Sequence, residues 1–269
     1  MILDVHTHAG NFNQLRDGSQ AAELRKLLDD MRAGGVDRSV VLPIPTSPDV
    51  QEADEHNRLF LKAVLPHDNL IPFCAVDLHD CETARRQVRD AVALGAKGLK
   101  LHPIVQHTEL STEPTYAALE EAAKLNIPAL IHTGQLLGLA HELAGAKGEL
   151  GPLDLGNPLP ADRIAGAFPN LRIVLAHFGW PWADEALAIM QRRRNIWLDL
   201  SGWAPRHIPE TVWVQLIKRF PERFLFGTDF PVISTRRWLD EFRQKVTDPS
   251  IRAMVSGGNA LEVLGEKSR

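Results

Sequence analysis

Cysteine is nearly absent from this sequence. The 269 residues include only Cys74 and Cys81, and their spacing does not match a pair of zinc ligands. Two thiols in a chain of this length argue against a disulfide framework and fit a reducing cytoplasm. We therefore expect a cytoplasmic protein that folds without cross-links.

Long apolar runs and basic blocks are missing as well. No run of about 18 apolar residues occurs, so no membrane span is indicated, and the N-terminus lacks the basic segment of a secretory signal. The formal net charge is −4 and basic residues do not cluster, which makes nucleic acid a poor partner. The expected partner is instead a small-molecule substrate.

What remains is the composition of an ordinary globular protein. Hydrophobic residues make up 44% of the chain and charged residues 24%, and the chain is long enough to bury a substantial core. Barrels of this size are single domains, so we expect one domain over residues 1–269.

Short apolar runs alternate with helical patterns along the chain. The first run contains Ile2, Leu3 and Val5, and seven more lie at residues 39–44, 69–76, 99–102, 128–132, 171–176, 196–200 and 224–227. Eight strands alternating with eight helices predict an α/β fold of the (β/α)8, or TIM barrel, class. In that fold the catalytic face lies at the carboxyl ends of the strands, where the polar residues of this chain cluster.

Several connecting segments carry their own signals. Residues 11–19 predict a polar loop, after which Ser19 is expected to cap a helix over residues 20–32, and Asp80 is expected to cap the helix after the third run. Residues 135–159 contain five glycines and two prolines without a firm period. Because the alternation resumes beyond them, we interpret them as a long functional insertion.

The segment Asp4-Val5-His6-Thr7-His8 ends the first strand. Side chains alternate along a strand, so His6 and His8 point to the same face, and Asp4 is expected to share it. Two imidazoles at one strand end provide half of a site for a first-row metal. An isolated motif this short is better explained by two hydrogen-bonded histidines in a polar loop, so the metal prediction depends on ligands at other strand ends.

Other strand ends do carry such candidates. They are Lys100 and His102 in the fourth run, His132 in the fifth, His177 after the sixth and Asp229 after the eighth. Five of the 11 histidines thus fall at strand ends. A barrel without a metal needs no such ring, and unpartnered buried polar groups would cost stability. A bound metal explains why these residues are grouped.

Strand alternation predicts where these side chains face. Lys100 and His102 share one face of the fourth strand. His177 shares a face with Leu171, Ile173 and Leu175, and this apolar face suits the barrel interior.

The seventh strand places Asp199 and Ser201 on its inner face, together with Trp197. The carboxylates of Asp4 and Asp199 are candidates for orienting metal ligands. The alternative is that both cap loop backbone.

Five motifs together resemble the amidohydrolase superfamily: Asp-Val-His-Thr-His, Gly-Leu-Lys-Leu-His-Pro, Ile-His-Thr-Gly, Ala-His-Phe-Gly and Phe-Gly-Thr-Asp-Phe-Pro. More narrowly, they resemble its amidohydrolase-related branch, which includes aminocarboxymuconate-semialdehyde decarboxylase, resorcylate-type decarboxylases and pyrone dicarboxylate lactonase. The resemblance covers the whole chain and is specific as a set of motifs.

By that resemblance, a divalent metal would be held by His6, His8, His132 and Asp229, with zinc as the first choice and manganese as the alternative. Three imidazoles and a carboxylate leave an open position on the metal, which lowers the pKa of a water and polarises a carbonyl. Asp229 would take the water's proton, and His177, the catalytic histidine, would stabilise the developing oxyanion.

Lys100 leaves two alternatives open. In binuclear members of the superfamily, a lysine on the fourth strand is carboxylated and bridges two metals, and a residue in the position of His177 is a ligand. The alternative is a free cation that pairs with an acid or binds a substrate carboxylate. We favour the free cation and one metal ion, because the mononuclear branch resembles this chain better.

The remaining candidates concern the substrate. His102 and Gln106, on either side of Pro103, are interpreted as substrate-contacting or ligand-supporting groups. Trp180 and Trp203, with Trp182 and Phe230 nearby, either line a pocket for a flat substrate or pack internally or at the interface of a homodimer.

Two reactions are compatible with these motifs. The first is hydrolysis of an amide, ester or lactone of a small acidic substrate, and the second is metal-dependent, non-oxidative decarboxylation of an aromatic or unsaturated acid. Both use the same metal and histidine. A metal-loaded binding protein without turnover is a third hypothesis, and the complete set of ligands and acid–base groups argues against it.

Overall fold

The computed structural model of the protein describes residues 1–10, 12–44, 50–136 and 151–266. Within these ranges, the strands are β1 (Leu3–Thr7), β2 (Arg38–Val41), β3 (Leu70–Pro72), β4 (Leu99–Leu101), β5 (Ala129–Ile131), β6 (Ile173–Leu175), β7 (Ile196–Asp199) and β8 (Phe224–Leu225). The α-helices are α1 (Phe12–Asp17), α2 (Gln20–Gly34), α3 (Val50–Val64), α4 (Cys81–Leu94), α5 (Pro103–Gln106), α6 (Glu113–Lys124), α7 (Pro160–Ala167), α8 (Ala183–Arg192), α9 (Glu210–Lys218), α10 (Thr235–Lys245), α11 (Pro249–Ala253) and α12 (Asn259–Leu264).

All eight strands are parallel and follow chain order around the barrel. Strands β1 to β3 are hydrogen-bonded to one another in one sheet, and β4 to β8 form a second sheet. Backbone bridges join the two sheets on both sides, between Cys74 and Leu99 and between Thr7 and Phe230. The amide of Val5 also donates to the carbonyl of Phe226 at 3.0 Å. These links confirm the predicted TIM barrel.

The buried apolar side chains form two layers. An inner cluster fills the barrel with residues from seven strands and their ends and with Ala260 and Val263 of α12. A larger outer cluster lies between the strands and the surrounding helices. The even-numbered Val174 and Ala176 belong to the inner cluster, whereas Ile173 and Leu175 belong to the outer one.

The helices form where amphipathic patterns and caps favour them. Leu24, Leu27 and Met31 of α2 are buried on one face of the helix. Asp80 caps α4 as expected, because its side chain accepts a hydrogen bond from the amide of Thr83 at 2.9 Å.

Two local predictions around the first helices are wrong. Residues 12–17 form α1 rather than a loop, and residue 11 lies outside the described ranges. Ser19 makes no side-chain cap, because its own backbone is already helical and its amide donates to Asp17 Oδ1 at 2.8 Å.

The strands are also shorter than the apolar runs that predicted them. In β3, Pro72 has no N–H to donate to the ladder.

The expected insertion at residues 135–159 is described only in part, since residues 137–150 lie outside the described ranges. Its remainder runs over the carboxyl side of the barrel, where the amide of Gly134 donates to the carbonyl of Gly156 at 2.7 Å and that of Gly151 to the carbonyl of Ile104 at 3.1 Å. None of the described helices has the length and apolar character needed to span a bilayer.

Candidate metal centre

The ends of β1 and β8 bring His6, His8 and Asp229 together. Nε2 of His6 lies 3.3 Å from Oδ1 of Asp229, and Nε2 of His8 lies 3.1 Å from the same oxygen. The backbone keeps the two segments side by side, because the amide of Asp229 donates to the carbonyl of His6 at 2.8 Å. Residues more than 220 positions apart in the sequence thus form one site.

A bulge in β1 aims His6 into this site. The pairing of β1 with β2 shifts by one residue between Asp4 and Thr7, while Val5 packs in the inner cluster. The strict alternation that would place Asp4 and His6 on one face is therefore broken. Asp4 instead bonds to the segment after β8, accepting from the hydroxyl of Thr228 at 2.7 Å and from its amide at 3.2 Å.

Hydrogen bonds at Nδ1 determine which nitrogen of each ring carries its proton. Nδ1 of His6 lies 2.9 Å from Oδ2 of Asp199, and Nδ1 of His8 lies 3.0 Å from the carbonyl of Leu42. Carboxylate and carbonyl oxygens only accept, so we assign the proton to Nδ1 in both rings. With its hydrogen on Nδ1, each ring turns its Nε2 toward Asp229.

The charges fit this assignment. Burial, together with the positive charge of Lys100, lowers the pKa of His6 to about 3, so its ring is neutral. Burial alone would raise the pKa of Asp229, but its interactions with the imidazoles of His8, His6 and His177 hold that pKa well below its usual range. Asp229 is therefore a carboxylate.

His132 is the fourth expected ligand. Its side chain is buried, and its Nε2 has no hydrogen-bond partner among the described residues. Burial lowers the pKa of His132 well below its usual range, so that nitrogen keeps its lone pair or carries an unsatisfied hydrogen. Its ring stacks on that of His102, with centroids 3.8 Å apart, and meets the ring of His177 edge-on at 4.8 Å.

His177 enters the site by a different route from the one that alternation predicts. Ile173 and Leu175 face the outer cluster, so a regular strand would carry His177 outward as well. The expectation that these residues mark the interior face is wrong. The strand ends at Leu175, and His177 adopts a left-handed backbone with φ 57°. This conformation is costly for a residue with a Cβ, and here it turns the imidazole toward His6, with ring centroids 4.8 Å apart.

Asp199 and Ser201 support both rings, in line with their predicted inner-face placement. Asp199 accepts from Nδ1 of His6 and from the amide of His177, the latter at 3.0 Å. The hydroxyl of Ser201 lies 3.0 Å from Nδ1 of His6 and 3.0 Å from Nδ1 of His177. Burial opposes the ionisation of Asp199, but its interaction with His6, including the hydrogen bond from Nδ1, lowers its pKa below the usual range.

Lys100 lies on the inner side of β4 and is almost completely buried. Its ammonium nitrogen has no hydrogen-bond partner among the described residues. Burial lowers its pKa to about 8, against the opposing attraction of Asp199 and Asp229. A buried amine without an acceptor is a group prepared for a ligand that the protein itself does not supply.

Of the residues expected to contact the substrate, Gln106 is occupied by backbone hydrogen bonds, whereas Trp180 and Trp203 remain partly exposed. Both ends of the Gln106 amide bond to backbone, at 2.7 Å to the amide of His102 and 2.7 Å to the carbonyl of Val76. Gln106 therefore positions His102. The indoles of Trp180 and Trp203 lie side by side with centroids 4.8 Å apart, and both remain partly exposed.

Three contributors escape prediction from the sequence. The carbonyl of Leu42 holds His8, and Thr228 links Asp4 to the strand end that carries Asp229. Gly202 lies so close to the site that a Cβ there would be 2.8 Å from Nδ1 of His177 and 3.4 Å from Oδ2 of Asp229. The only sequence signals are the adjacency of Thr228 to Asp229 and of Gly202 to Ser201.

The residues present suit a divalent metal. His6, His8 and Asp229 each offer one donor atom within 4.8 Å of the others. Bare nitrogens facing a carboxylate oxygen at 3.1 and 3.3 Å would repel without a cation between them. Ligands about 2.0–2.2 Å from a shared metal have separations of this size. His132, the fourth expected ligand, is not among the described residues whose donor atoms meet within that distance; its unpartnered Nε2 belongs to a ring that contacts His177.

Comparison with known proteins places the chain among related barrels. The sequence profile of a family described as Amidohydrolase matches residues 3–265. A comparison with curated protein sequences found no match.

Solved structures share the fold at low sequence identity. A 5-carboxyvanillate decarboxylase from Sphingomonas paucimobilis has a TM-score of 0.73 and 16% identity, with 99% of each chain covered. A dihydroxybenzoic acid decarboxylase from a Polaromonas species, with bound manganese and 2-nitroresorcinol, has a TM-score of 0.74 and 17% identity over 98% of this chain and 96% of that chain. A probable 2-pyrone-4,6-dicarboxylic acid hydrolase from Acinetobacter baumannii, with citric acid bound, has a TM-score of 0.69 and 15% identity over 98% of this chain and 99% of that chain.

Proposed function

The chain belongs to the amidohydrolase family, and from that membership we propose that it is a metal-dependent hydrolase of an amide, ester or lactone in a small acidic substrate. One observation carries the proposal: the bare Nε2 atoms of His6 and His8 converge on the carboxylate of Asp229 at 3.3 and 3.1 Å. His177 lies beside this group. Donor atoms and a proton-transfer group thus meet at the catalytic face of the barrel.

His6, His8, His132 and Asp229 would hold the ion, and when bound it would acidify a water and polarise the substrate carbonyl. Zinc suits three imidazoles and a carboxylate, and manganese is the alternative because one structurally similar decarboxylase carries it. We propose one ion per chain, with Lys100 as a free cation that is not carboxylated.

The protein's own groups then move the proton. The carboxylate of Asp229 accepts a proton from the attacking water. His177 donates its Nδ1 hydrogen to the carbonyl of Ser201 at 3.1 Å, which leaves Nε2 as the nitrogen available for proton transfer. A ring with its only hydrogen on Nδ1 cannot donate from Nε2 to an oxyanion. We therefore assign Nε2 of His177 to accept the proton that Asp229 has taken from the water and to pass it to the leaving group, rather than to the oxyanion role inferred from the sequence.

Lys100 is the reason why we propose an acidic substrate. A carboxylate that reaches the buried ammonium would supply the missing acceptor and stabilise its charged form. The probable hydrolase with a similar fold binds citric acid, a polycarboxylate. We propose that Lys100 binds a carboxylate on a part of the substrate away from the bond that is cleaved.

Decarboxylation of an aromatic acid is the second candidate. The paired indoles of Trp180 and Trp203 suit a flat ring, and two structurally similar proteins are decarboxylases of aromatic acids. The same metal ligands and His177 would serve this reaction.

The deciding experiment incubates zinc- or manganese-loaded protein with lactones, esters, amides and aromatic acids, each with and without a second carboxylate. Hydrolysis in ¹⁸O-labelled water places ¹⁸O in the product acid, whereas decarboxylation releases bicarbonate. We expect ¹⁸O in the acid, and a higher KM for carboxylated substrates in Lys100→Met. Bicarbonate release instead would support the second candidate, and binding without turnover across the panel would identify a metal-loaded binding protein.

A further inference from the structure

We propose that Asp199 and Ser201 form a tautomer lock, a shared hydrogen-bonding pair that keeps Nε2 of both His6 and His177 free of hydrogen. The roles of the two rings, metal ligand and proton-transfer group, rest on the proposed function. The hydrogen bonds of the lock do not.

The carboxylate of Asp199 uses its two oxygens differently. Oδ2 accepts from Nδ1 of His6 at 2.9 Å. Oδ1 accepts from the amides of His177 and Ser201, each at 3.0 Å, and from the hydroxyl of Ser201. Capping of the backbone would need Oδ1 alone. The bond from Oδ2 to an imidazole therefore requires a second explanation.

Ser201 accepts hydrogen bonds from both rings with a single oxygen, its hydroxyl Oγ. Its single hydroxyl hydrogen goes to Asp199, since a carboxylate can only accept. Its lone pairs then face Nδ1 of His6 and Nδ1 of His177, each at 3.0 Å. Both contacts require N–H on Nδ1. The backbone carbonyl of Ser201, 3.1 Å from Nδ1 of His177, imposes the same requirement.

The burial of Asp199 and Ser201 and the close approach of Gly202 disfavour the tautomer with hydrogen on Nε2. Asp199 and Ser201 are completely buried, so water cannot replace their hydrogen bonds. Gly202 has φ 74°, and a Cβ there would meet His177 Nδ1 at 2.8 Å. The end of β7 thus lies directly against the protonated edge of His177, and the opposite edge faces the site.

One oxygen shared by two rings also couples them. The hydrogen bonds from Nδ1 of His6 and Nδ1 of His177 end on the same oxygen, so a stronger bond from one ring weakens the bond from the other. A change at His6, such as a metal ion held by its Nε2, would in this way reach His177, whose ring centre lies 4.8 Å away.

The test reads the tautomers directly by ¹⁵N NMR of the imidazoles in metal-free protein, where catalysis plays no part. In the unmodified chain we expect the hydrogen on Nδ1 of both His6 and His177. In Asp199→Asn the amide can donate to Nδ1, so we expect His6 to shift its hydrogen to Nε2 and to bind zinc about 10- to 100-fold more weakly.

Ser201→Ala separates the two halves of the lock. Asp199 still holds His6, so we expect zinc affinity to fall less than in Asp199→Asn, while the chemical shifts of His177 cease to respond to zinc binding as they do in the unmodified chain. Thr133→Val is the matched control, because it removes a buried hydroxyl that donates to the carbonyl of Ala176 rather than to a ring.

Hydrogen on Nε2 of either ring in the unmodified metal-free chain would overturn the lock without any variant having to fold. Unchanged tautomers in Asp199→Asn, or equal effects of Ser201→Ala and Thr133→Val on His177, would also overturn it. If the tautomers are as expected but no metal binds, the proposed function fails and the lock stands. If metal binds and the tautomers differ, the lock fails alone.

Discussion

Nε2 of His8 lies 3.1 Å from Oδ1 of Asp229, although the hydrogen of that ring is on the opposite nitrogen, which donates to backbone. Two acceptor atoms this close, at the mouth of the barrel, define a position for a cation.

Metal content is the first prediction. Purified protein incubated with zinc or manganese and then desalted should carry about one divalent ion per chain, as a single site of four ligands requires. His6→Ala should lose the ion, whereas His207→Ala, which changes a histidine at the surface, should retain it. Elemental analysis measures both. Protein that takes up neither metal would contradict the assignment of the site, and two tightly bound ions per chain would favour the bridging role of Lys100.

The second prediction concerns the buried charge of Lys100 in metal-free protein. Burial lowers its pKa from 10.5 to about 8, so the unfolded chain holds this proton more tightly and the group disfavours folding below about pH 8. The penalty disappears as the pH rises from about 8 toward 10.5. Lys100→Met should therefore be more stable than the parent at pH 7, by up to about 3 kcal/mol at 1.36 kcal/mol per pKa unit.

Denaturant unfolding at several pH values measures this difference, which should shrink between pH 8 and 10.5. Lys97→Met, at an exposed position nearby in the sequence, is the control and should show no such dependence. A constant difference at all pH values would mean that Lys100 is uncharged or paired in the folded protein.

The third prediction separates His177 from Asp229. His177→Asn should keep its metal and lose activity by about 10²- to 10⁴-fold, the usual effect of removing an acid–base group. Asp229→Asn should lose activity as well and bind metal more weakly, since an anionic ligand is gone. Metal content and kcat, measured on the same preparations, distinguish the two. Release of metal from His177→Asn as readily as from His6→Ala would make His177 a ligand.

The fourth prediction uses the close approach of Gly202. Gly202→Ala should displace His177, because the new Cβ would lie 2.8 Å from its Nδ1. Gly35→Ala is the matched control: Gly35 has φ 70° against 74° for Gly202, but a Cβ there meets nothing within 4 Å. Both variants should lose about 1–2 kcal/mol of stability from the left-handed backbone. Only Gly202→Ala should lose most of its turnover, and equal activity of the two variants would exclude a role for this contact.

Much of the fold was predictable because barrel strands and helices have local periodicity. The apolar runs locate all eight strands, and polar residues such as His132 and Asp229 mark their carboxyl ends. The errors arise where the backbone departs from regular geometry. Strand alternation predicts the wrong face for His177 because the backbone of that residue is left-handed. The sequence does not predict α1, because six residues are too few to show a helical period. The single domain, the cytoplasmic location and a homodimer remain predictions.

The sequence by itself determined the barrel, the family and the set of histidines at the strand ends, because hydrophobic periodicity and short motifs are local properties of the chain. Only the tertiary structure decided which nitrogen of each ring carries a proton. His6 and Asp199 are 193 residues apart and become hydrogen-bonded only when the barrel closes. The bulge that aims His6 likewise depends on the register of β1 against β2, which no residue of β1 specifies alone. A proton's position is determined by the acceptor next to it, and in this site the acceptors come from distant strands.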